Sequence, residues 1–519
     1  MSILVQISVL PSQQEDEPFI KELALTKAKL YANDISQWRI RKRSIDARRV
    51  PIKINLQVEF WLQNEQKETI PAFIAQDVSS KKEIAIIGAG PAGLYAALRS
   101  IEAGLKPIVF ERGKDVRARR RDLAIINKEQ IVNPESNYCF GEGGAGTYSD
   151  GKLYTRSKKR GNVLKAIEWF VHFGADPDIL VDAHPHIGTN KLPKIITAMR
   201  EAIIAAGGEV HFNAKMTDIT IKNNTITGLQ INDTNTYTFS DVILATGHSA
   251  RDIFYLLHEK NIALEAKPFA IGVRVEHQQE LIDTIQYHGD GENPYLPPAS
   301  YALVEQIDGL GVYSFCMCPG GIIAPCATSQ KEVVTNGWSP SKRNNPYANS
   351  GIVVSVNPQD LPNYTPNDPF VCLDFQKQVE HSCWMAAGKT QRVPAQRMVD
   401  FVEGNISEDF PKTSYQPGIV SVDLNTVLPK LITKRLQKAF VAFGKKMNGY
   451  YTNQAVLHAP ESRTSSPVLI PRRKDTLEHI DVKGLYPCGE GAGYAGGIIS
   501  AAIDGINCVD AIIEKLKVS

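Results

Sequence analysis

The apolar pattern of the chain predicts three kinds of segment. In the first, strand-like runs at 2–10, 38–46 and 52–61 accompany a helical stretch at 17–30, which makes residues 1–78 a separate α+β module ending in a polar linker at 76–82. In the second, short continuous apolar runs are followed by helical periodicity. Residues 84–87 read as a parallel strand buried on both faces; Leu94, Ala97, Leu98 and Ile101 then recur at helical spacing up to Gly104, and 107–110 reads as the next strand. Helices are expected at 162–173 and 192–206, and strands at 209–219, 225–231 and 241–247. The same signature returns near the C-terminus as a strand at 484–490 and a helix at 499–516 with Ala501, Ala502, Ile503, Ile506, Val509 and Ile512 on its apolar side. In the third, strand-like runs at 269–276, 311–317 and 351–356 predict a β-rich layer. The expected division is the module 1–78, an α/β domain in two pieces (83–265 and 470–519), and an inserted substrate or cap domain at 266–469.

The turns between these elements carry candidate chemistry. Gly88-Ala89-Gly90-Pro91-Ala92-Gly93 joins the first strand of the α/β domain to its helix. In such a turn the first glycine permits the tight bend, the second lets backbone approach a pyrophosphate, and the third lets helix and strand pack closely. Pro91 suits a first helical position, and the helix N-terminus faces the phosphates. Glu111, followed by Arg112, ends the next strand about 20 positions on, where an acidic side chain accepts hydrogen bonds from a ribose and repels a 2′-phosphate. Near the C-terminus, Gly489-Glu490 ends a strand, and a glycine-rich stretch containing Gly496, Gly497 and Ile498 opens the last helix. A carboxylate there suits a ribitol chain and the edge of a flavin ring, and the helix dipole favours negative charge on a reduced flavin. Between the two halves, the strand at 241–247 ends in Ala245-Thr246-Gly247. In this order the segments point to bound FAD rather than NAD.

Longer strings carry a family likeness. Residues 140–156 (FGEGGAGTYSDGKLYTR), 245–252 (ATGHSARD), 314–321 (SFCMCPGG), 335–338 (TNGW) and 461–467 (ESRTSSP), with Gly489-Glu490 and its helix, resemble signatures of the bacterial uncharacterised FAD-dependent dehydrogenase (NAD(P)/FAD-dependent oxidoreductase) family, which is related to glutathione-reductase-like flavoproteins. The likeness runs from about residue 44 to the C-terminus. It implies an α/β fold: a Rossmann-like, glutathione-reductase-like FAD-binding domain with an inserted β-rich substrate domain, beside the N-terminal α+β module. It further implies that Ala245-Thr246-Gly247 lies at the domain junction, that Met216 offers backbone to the adenine edge, and that the loop containing Gly143, Gly144 and Gly146 passes the pyrophosphate and the flavin ring. It implies no substrate.

Composition narrows the picture. A chain of 519 residues, 43% hydrophobic and 22% charged, is that of a folded protein of two or three domains. A net charge of +2 gives no strong field for nucleic acid or membrane. No apolar stretch approaches the roughly 20 residues of a membrane span, and residues 1–10 lack the basic start of a signal peptide. Eight scattered cysteines form no disulfide framework, so a cytoplasmic location is expected. No metal site is expected: Cys316, Cys318 and Cys326 have no second pair at zinc spacing and read as buried thiols, with a redox role for Cys316/Cys318 as the alternative.

FAD would carry the redox chemistry, the protein supplying position and field. Lys152 and His248 are candidates for stabilising a reduced flavin or a substrate anion, with a structural histidine as the other reading of His248. Arg463 reads either as a carboxylate or phosphate receptor or as a partner of Glu461, and Arg251 as a partner of Asp252. The expected activity is an FAD-dependent oxidoreductase moving a hydride or electron pair between flavin and an unidentified small molecule. No second GxGxxG marks the inserted domain, so NADH or NADPH, if used, would visit the flavin transiently. Arg39, Arg41, Lys42, Arg43, Arg48 and Arg49, with 117–121 and 158–160, read as a solvated basic face or, in a rival reading, as the contact of a flavin-dependent RNA-modifying or RNA-binding protein. A second rival is an interaction protein stabilised by FAD. The sequence specifies no oligomeric state.

Overall fold

The computed structural model describes residues 2–63, 65, 73–155 and 161–518; Arg156 and the basic run 158–160 lie outside them. At the N-terminus, the strand Lys53–Leu62 lies between Ile3–Val9 and Ile35–Asp46, antiparallel to both, and the helix Glu17–Ala28 is packed on this sheet. Four of the six arginines and lysines expected to form a basic face are neutralised. Arg39 and Arg41 share Glu59, Arg48 pairs with Asp46, and Arg43 reaches Asp178 and Asp182 of the α/β domain.

The α/β domain is built on a five-stranded parallel sheet in the order Leu485–Pro487, Val242–Leu244, Glu83–Ile87, Lys106–Phe110, Glu209–His211. Ile84 and Ile86 in its centre are completely buried, as the continuous apolar run requires. The helix Pro91–Glu102 is packed between this sheet and the C-terminal helix Ile498–Val518. The two helices approach so closely that a Cβ on Gly505 would lie 2.1 Å from the Ala92 carbonyl oxygen, which accounts for their small residues. The strand expected over 209–219 is two strands. Glu209–His211 ends the parallel sheet, while Met216–Lys222 joins Thr225–Ile231 and Asn235–Thr238 in a separate antiparallel sheet. The break lies at Asn213, which takes φ 52 because it and Ala214 donate to the Gly113 and Glu111 carbonyls.

The inserted segment carries a seven-stranded sheet in which Phe269–Gln278 is central, flanked by Tyr347–Val356 and Val456–Glu461. Two long helices unmarked in the sequence reading, Val371–Ala386 and Lys430–Lys446, pack their apolar sides against it. A short antiparallel ribbon, Glu265–Ala266 with Val468–Leu469, carries both chain crossings between the two parts. All eight cysteines are free, and no described helix is long and apolar enough to cross a membrane.

Candidate FAD site

A cavity of about 350 Å³ opens at the carboxyl ends of four of the parallel strands, walled on its far side by the inserted domain. Gly88, Glu111, Ala245 and Cys488, each following one of those strands, all reach it, as expected for a ligand crevice in an open α/β sheet. The turn is held by sterics. Gly88 has φ +104, and a Cβ there would stand 2.4 Å from the Ala245 oxygen; one on Gly93 would stand 1.8 Å from the Gly88 oxygen. The Glu111 carboxylate fastens this turn to its neighbours, accepting from the N–H groups of Ala89 (2.8 Å), Gly113 (2.9 Å) and Gly141 (2.9 Å). Three of its roughly four acceptor positions are thus used by backbone, a clamping role that the ribose reading did not anticipate.

The positions singled out in the sequence fall in two groups. Gly88, Gly90, Pro91, Ala92, Glu111 and Arg112 line the cavity, as do Gly144, Gly146 and Met216, then Ala245, Thr246 and Gly247, and finally Glu490, Gly496, Gly497 and Ile498. Ala89, Gly93, Gly143 and Gly489 stand behind it and shape the backbone: Gly143 donates to the Ala89 carbonyl (2.7 Å), and Gly489 to the Asp504 carboxylate (2.7 Å). Arg112 is ion-paired with Glu135 and Asp252, and its guanidinium lies 4.2 Å over the Phe140 ring.

The polar groups differ in how committed they are. The Lys152 ammonium lies 3.5 Å from Asp150 and 3.9 Å from the sulfurs of Cys316 and Cys318, and donates to the Met317 carbonyl. His248, bonded through Nδ1 to the Ser249 hydroxyl, is pushed down to about 3 by burial and by the Arg463 and Arg251 charges, so it is neutral at neutral pH. Arg463 is corrected in both of its readings. It pairs with Glu332 (2.5 Å) and Glu380 (3.1 Å), not with Glu461, and its remaining donors go to Ser249 and Thr328, which leaves none for an anion. Glu461 belongs to the buried Arg274 instead, and Arg251 also pairs with Glu332 and Glu380 rather than Asp252. Burial raises the Glu490 carboxyl from an ordinary 4.5 to about 7, with Lys267 opposing. Phe315, Cys316 and Asn336 complete the wall from the inserted domain; the strings at 314–321 and 335–338 had marked them without giving them a place. A buried cluster of Cys488, Asp504 and Cys508 has metal-like spacing. The Arg472 guanidinium already fills it, 2.6 Å from Asp504 and 3.7 Å from the Cys508 sulfur.

Residues 268–464 match the family described as FAD-dependent protein, C-terminal domain-like, and residues 82–255 match pyridine nucleotide-disulphide oxidoreductase; residues 1–61 match a domain of unknown function. An uncharacterized protein of Clostridium beijerinckii is 38% identical over 525 residues, covering 97% of either chain. The chain belongs to the uncharacterised FAD-dependent dehydrogenase family. It is thus an FAD-dependent oxidoreductase. Among solved structures it is similar to glycine oxidase from Bacillus cereus (15% identity, 84% of this chain and 96% of that one, TM-score 0.32) and to L-proline dehydrogenase from P. horikoshii (11%, 84% and 94%, TM-score 0.31).

The cavity of this FAD-dependent oxidoreductase fits its cofactor. A Cβ on Gly247, Gly496 or Gly497 would meet nothing within 4 Å, and one on Gly90 only the Gly144 Cα at 3.8 Å, so side chains are missing where a ligand needs the room. Gly90 caps the helix Pro91–Glu102 with no side chain, leaving its first N–H groups for an anion.

Proposed function

We propose that FAD lies in this cavity with its pyrophosphate against Gly88–Gly93 and Gly143–Gly146, its adenosine end near Glu111, Arg112 and Met216, and its flavin end near Glu490, Lys152 and the start of the last helix. The observation that carries this reading is the convergence of two helix N-termini and three glycine-rich turns on one cavity. Bound there, FAD would supply two-electron redox chemistry, and the chain would use it to move a hydride or electron pair to or from a small molecule entering beside the inserted domain. Lys152 offers a positive charge next to that end of the cavity, and Glu490 holds a proton near neutral pH. His248, neutral and bonded to Ser249, orients rather than charges the site. A nicotinamide dinucleotide is the proposed transient donor. Anaerobic addition of NADH or NADPH to the purified flavoprotein is expected to bleach the flavin absorbance bands. Bands that persist with both would remove the nicotinamide step, and a folded protein that takes up no FAD would remove the whole reading.

Glu490 gives the site a pH dependence. A carboxyl raised from 4.5 to about 7 in the folded protein contributes stability that is complete below 4.5 and lost as pH rises through about 7. Across the same window it acquires a charge that repels an anionic cofactor. FAD affinity, followed by flavin fluorescence, is expected to weaken as pH rises through about 7, and Glu490→Gln is expected to flatten that profile. Parallel profiles for the two proteins would assign the dependence elsewhere.

A further inference from the structure

The wall supplied by the inserted domain holds a thiol pair that the reading above leaves unused. The strand Leu310–Cys318 keeps register with Tyr347–Val356 as far as Phe315 and recovers it at Cys318. Between them Cys316 has φ +47, a left-handed conformation seldom adopted by a residue with a side chain. This bulge leaves Cys316 half-buried on the cavity wall, while Cys318 is fully buried. One ammonium serves both sulfurs: Lys152 Nζ is 3.9 Å from each and is fixed by the intervening Met317 carbonyl. Arg274 adds a second cation, with Nη1 3.4 Å from the Cys316 carbonyl oxygen.

The two thiols are unequal. The neighbouring Cys318 thiol, with the Lys152 and Arg274 charges, lowers the Cys316 thiol against its burial and the Asp150 charge. The Cys318 thiol, which donates to the Cys316 carbonyl (3.3 Å), is raised by its neighbour Cys316 and by burial. An accessible thiolate beside a neutral thiol is the arrangement that attacks a disulfide and then resolves the mixed product.

We propose that Cys316 and Cys318 form a thiol–disulfide exchange site in the FAD cavity, with a small organic disulfide as substrate class; this rests on the cavity being the site of chemistry, as read above. The Cys316 thiolate attacks R–S–S–R′, a Cys316–S–R bond forms, the substrate's S–S bond breaks, and R′S⁻ leaves. The Cys318 thiol then gives up its proton and attacks Cys316. The Cys316–Cys318 bond forms, and RS⁻ leaves and takes that proton as RSH. The protein has lost two electrons and the substrate has gained them. A bridge across so short a spacing is strained, which keeps it readily reducible.

The test uses the purified flavoprotein, with its flavin content measured on the same sample. It is treated with excess hydroxyethyl disulfide, quenched by alkylation, and read by intact mass and peptide mapping. The wild type is expected to lose two hydrogens and to yield a Cys316–Cys318 linked peptide. Cys318→Ser is expected to stop at one mixed disulfide on Cys316, and Cys316→Ser to form neither product. Lys152→Met is expected to move the pH midpoint of Cys316 alkylation upward by roughly one unit, which slows alkylation by about tenfold at acid pH below the wild-type midpoint. Wild-type thiols that stay unmodified in a flavin-loaded protein, or a mixed disulfide that persists unresolved, would overturn the proposal and leave the FAD reading intact. A linked peptide in a protein that takes up no FAD would do the reverse. The wild-type mapping needs no variant, so a misfolded substitution does not blunt the result.

Discussion

Gly93→Val is expected to strip the protein of FAD. A Cβ at this position would lie 1.8 Å from the Gly88 carbonyl oxygen and 3.0 Å from its carbon, both backbone atoms of the turn itself. Nothing there rotates out of the way. Either the helix Pro91–Glu102 lifts off the strand Glu83–Ile87 or the turn at Gly88 unbends, and Gly88 is already wedged against the Ala245 oxygen. The helix is also pinned from behind, because the C-terminal helix packs on Ala92 through Gly505. Overpacking of this kind costs about 1–3 kcal/mol in a closed core. The larger loss falls on binding: the displaced helix carries the N–H groups proposed above to meet the pyrophosphate, and a shift of about an ångström would break that geometry. The expected outcome is FAD affinity reduced by about a hundredfold or more, equivalent to about 2.7 kcal/mol. It is measured as flavin-to-protein absorbance after purification and as the melting shift on adding FAD. A variant with full flavin content would show that the turn does not need its third glycine.

The reason this turn was legible in the sequence is that its constraints are local. Sterics at Gly88, Gly90 and Gly93 and the fixed φ of Pro91 act within a few residues, and the apolar run 84–87 allows little besides a doubly buried strand. The same holds for the last strand and helix, which came out at Leu485–Pro487 and Ile498–Val518. What escaped the sequence depends on contacts between distant segments. The break near Asn213 is imposed by carbonyls at Gly113 and Glu111, which no pattern within 209–219 reveals. Arg463 sits two residues from Glu461 in the chain, so a local pair was a natural expectation, yet Glu461 faces Arg274 on the neighbouring strand and Arg463 faces Glu332 and Glu380. Cys316 reads from its spacing as one of two buried thiols in a regular strand; the bulge that brings it to the cavity arises only from pairing with Tyr347–Val356. Side-chain partners and the far wall of the site are tertiary facts, whereas the glycine-rich turn at 88–93 is nearly a property of the peptide.

Arg463→Leu is expected to destabilise the protein by about 3–5 kcal/mol at neutral pH, the cost of leaving a buried charge without its partner. The cluster holds two guanidinium groups and two carboxylates. Arg463 and Arg251 both reach Glu332 and Glu380, and Glu380 is fully buried. Removing one cation leaves a net negative charge in that space, and deletes the donors that Ser249 and Thr328 accept from. The pH dependence separates charge from packing. Against its burial, Arg463 and Arg251 hold the Glu332 carboxyl near 2, below its ordinary 4.5. A carboxyl depressed on folding contributes stability that is present above 4.5 and lost as pH falls toward 2. The variant raises that pKa and so forfeits the contribution, which makes its deficit largest at neutral pH and smaller on acidification. Urea unfolding midpoints at neutral pH and at about pH 4 measure this directly. A deficit of equal size at both would assign the loss to packing, and no deficit would show that Arg251 alone balances the cluster. The change also reaches the cavity, because the Arg463 charge helps keep His248 down at about 3. In the variant the imidazole is expected to titrate at higher pH, visible as a shifted histidine resonance, so the cluster, whose Arg463 lines the cavity beside His248, adds to burial in setting where that residue titrates.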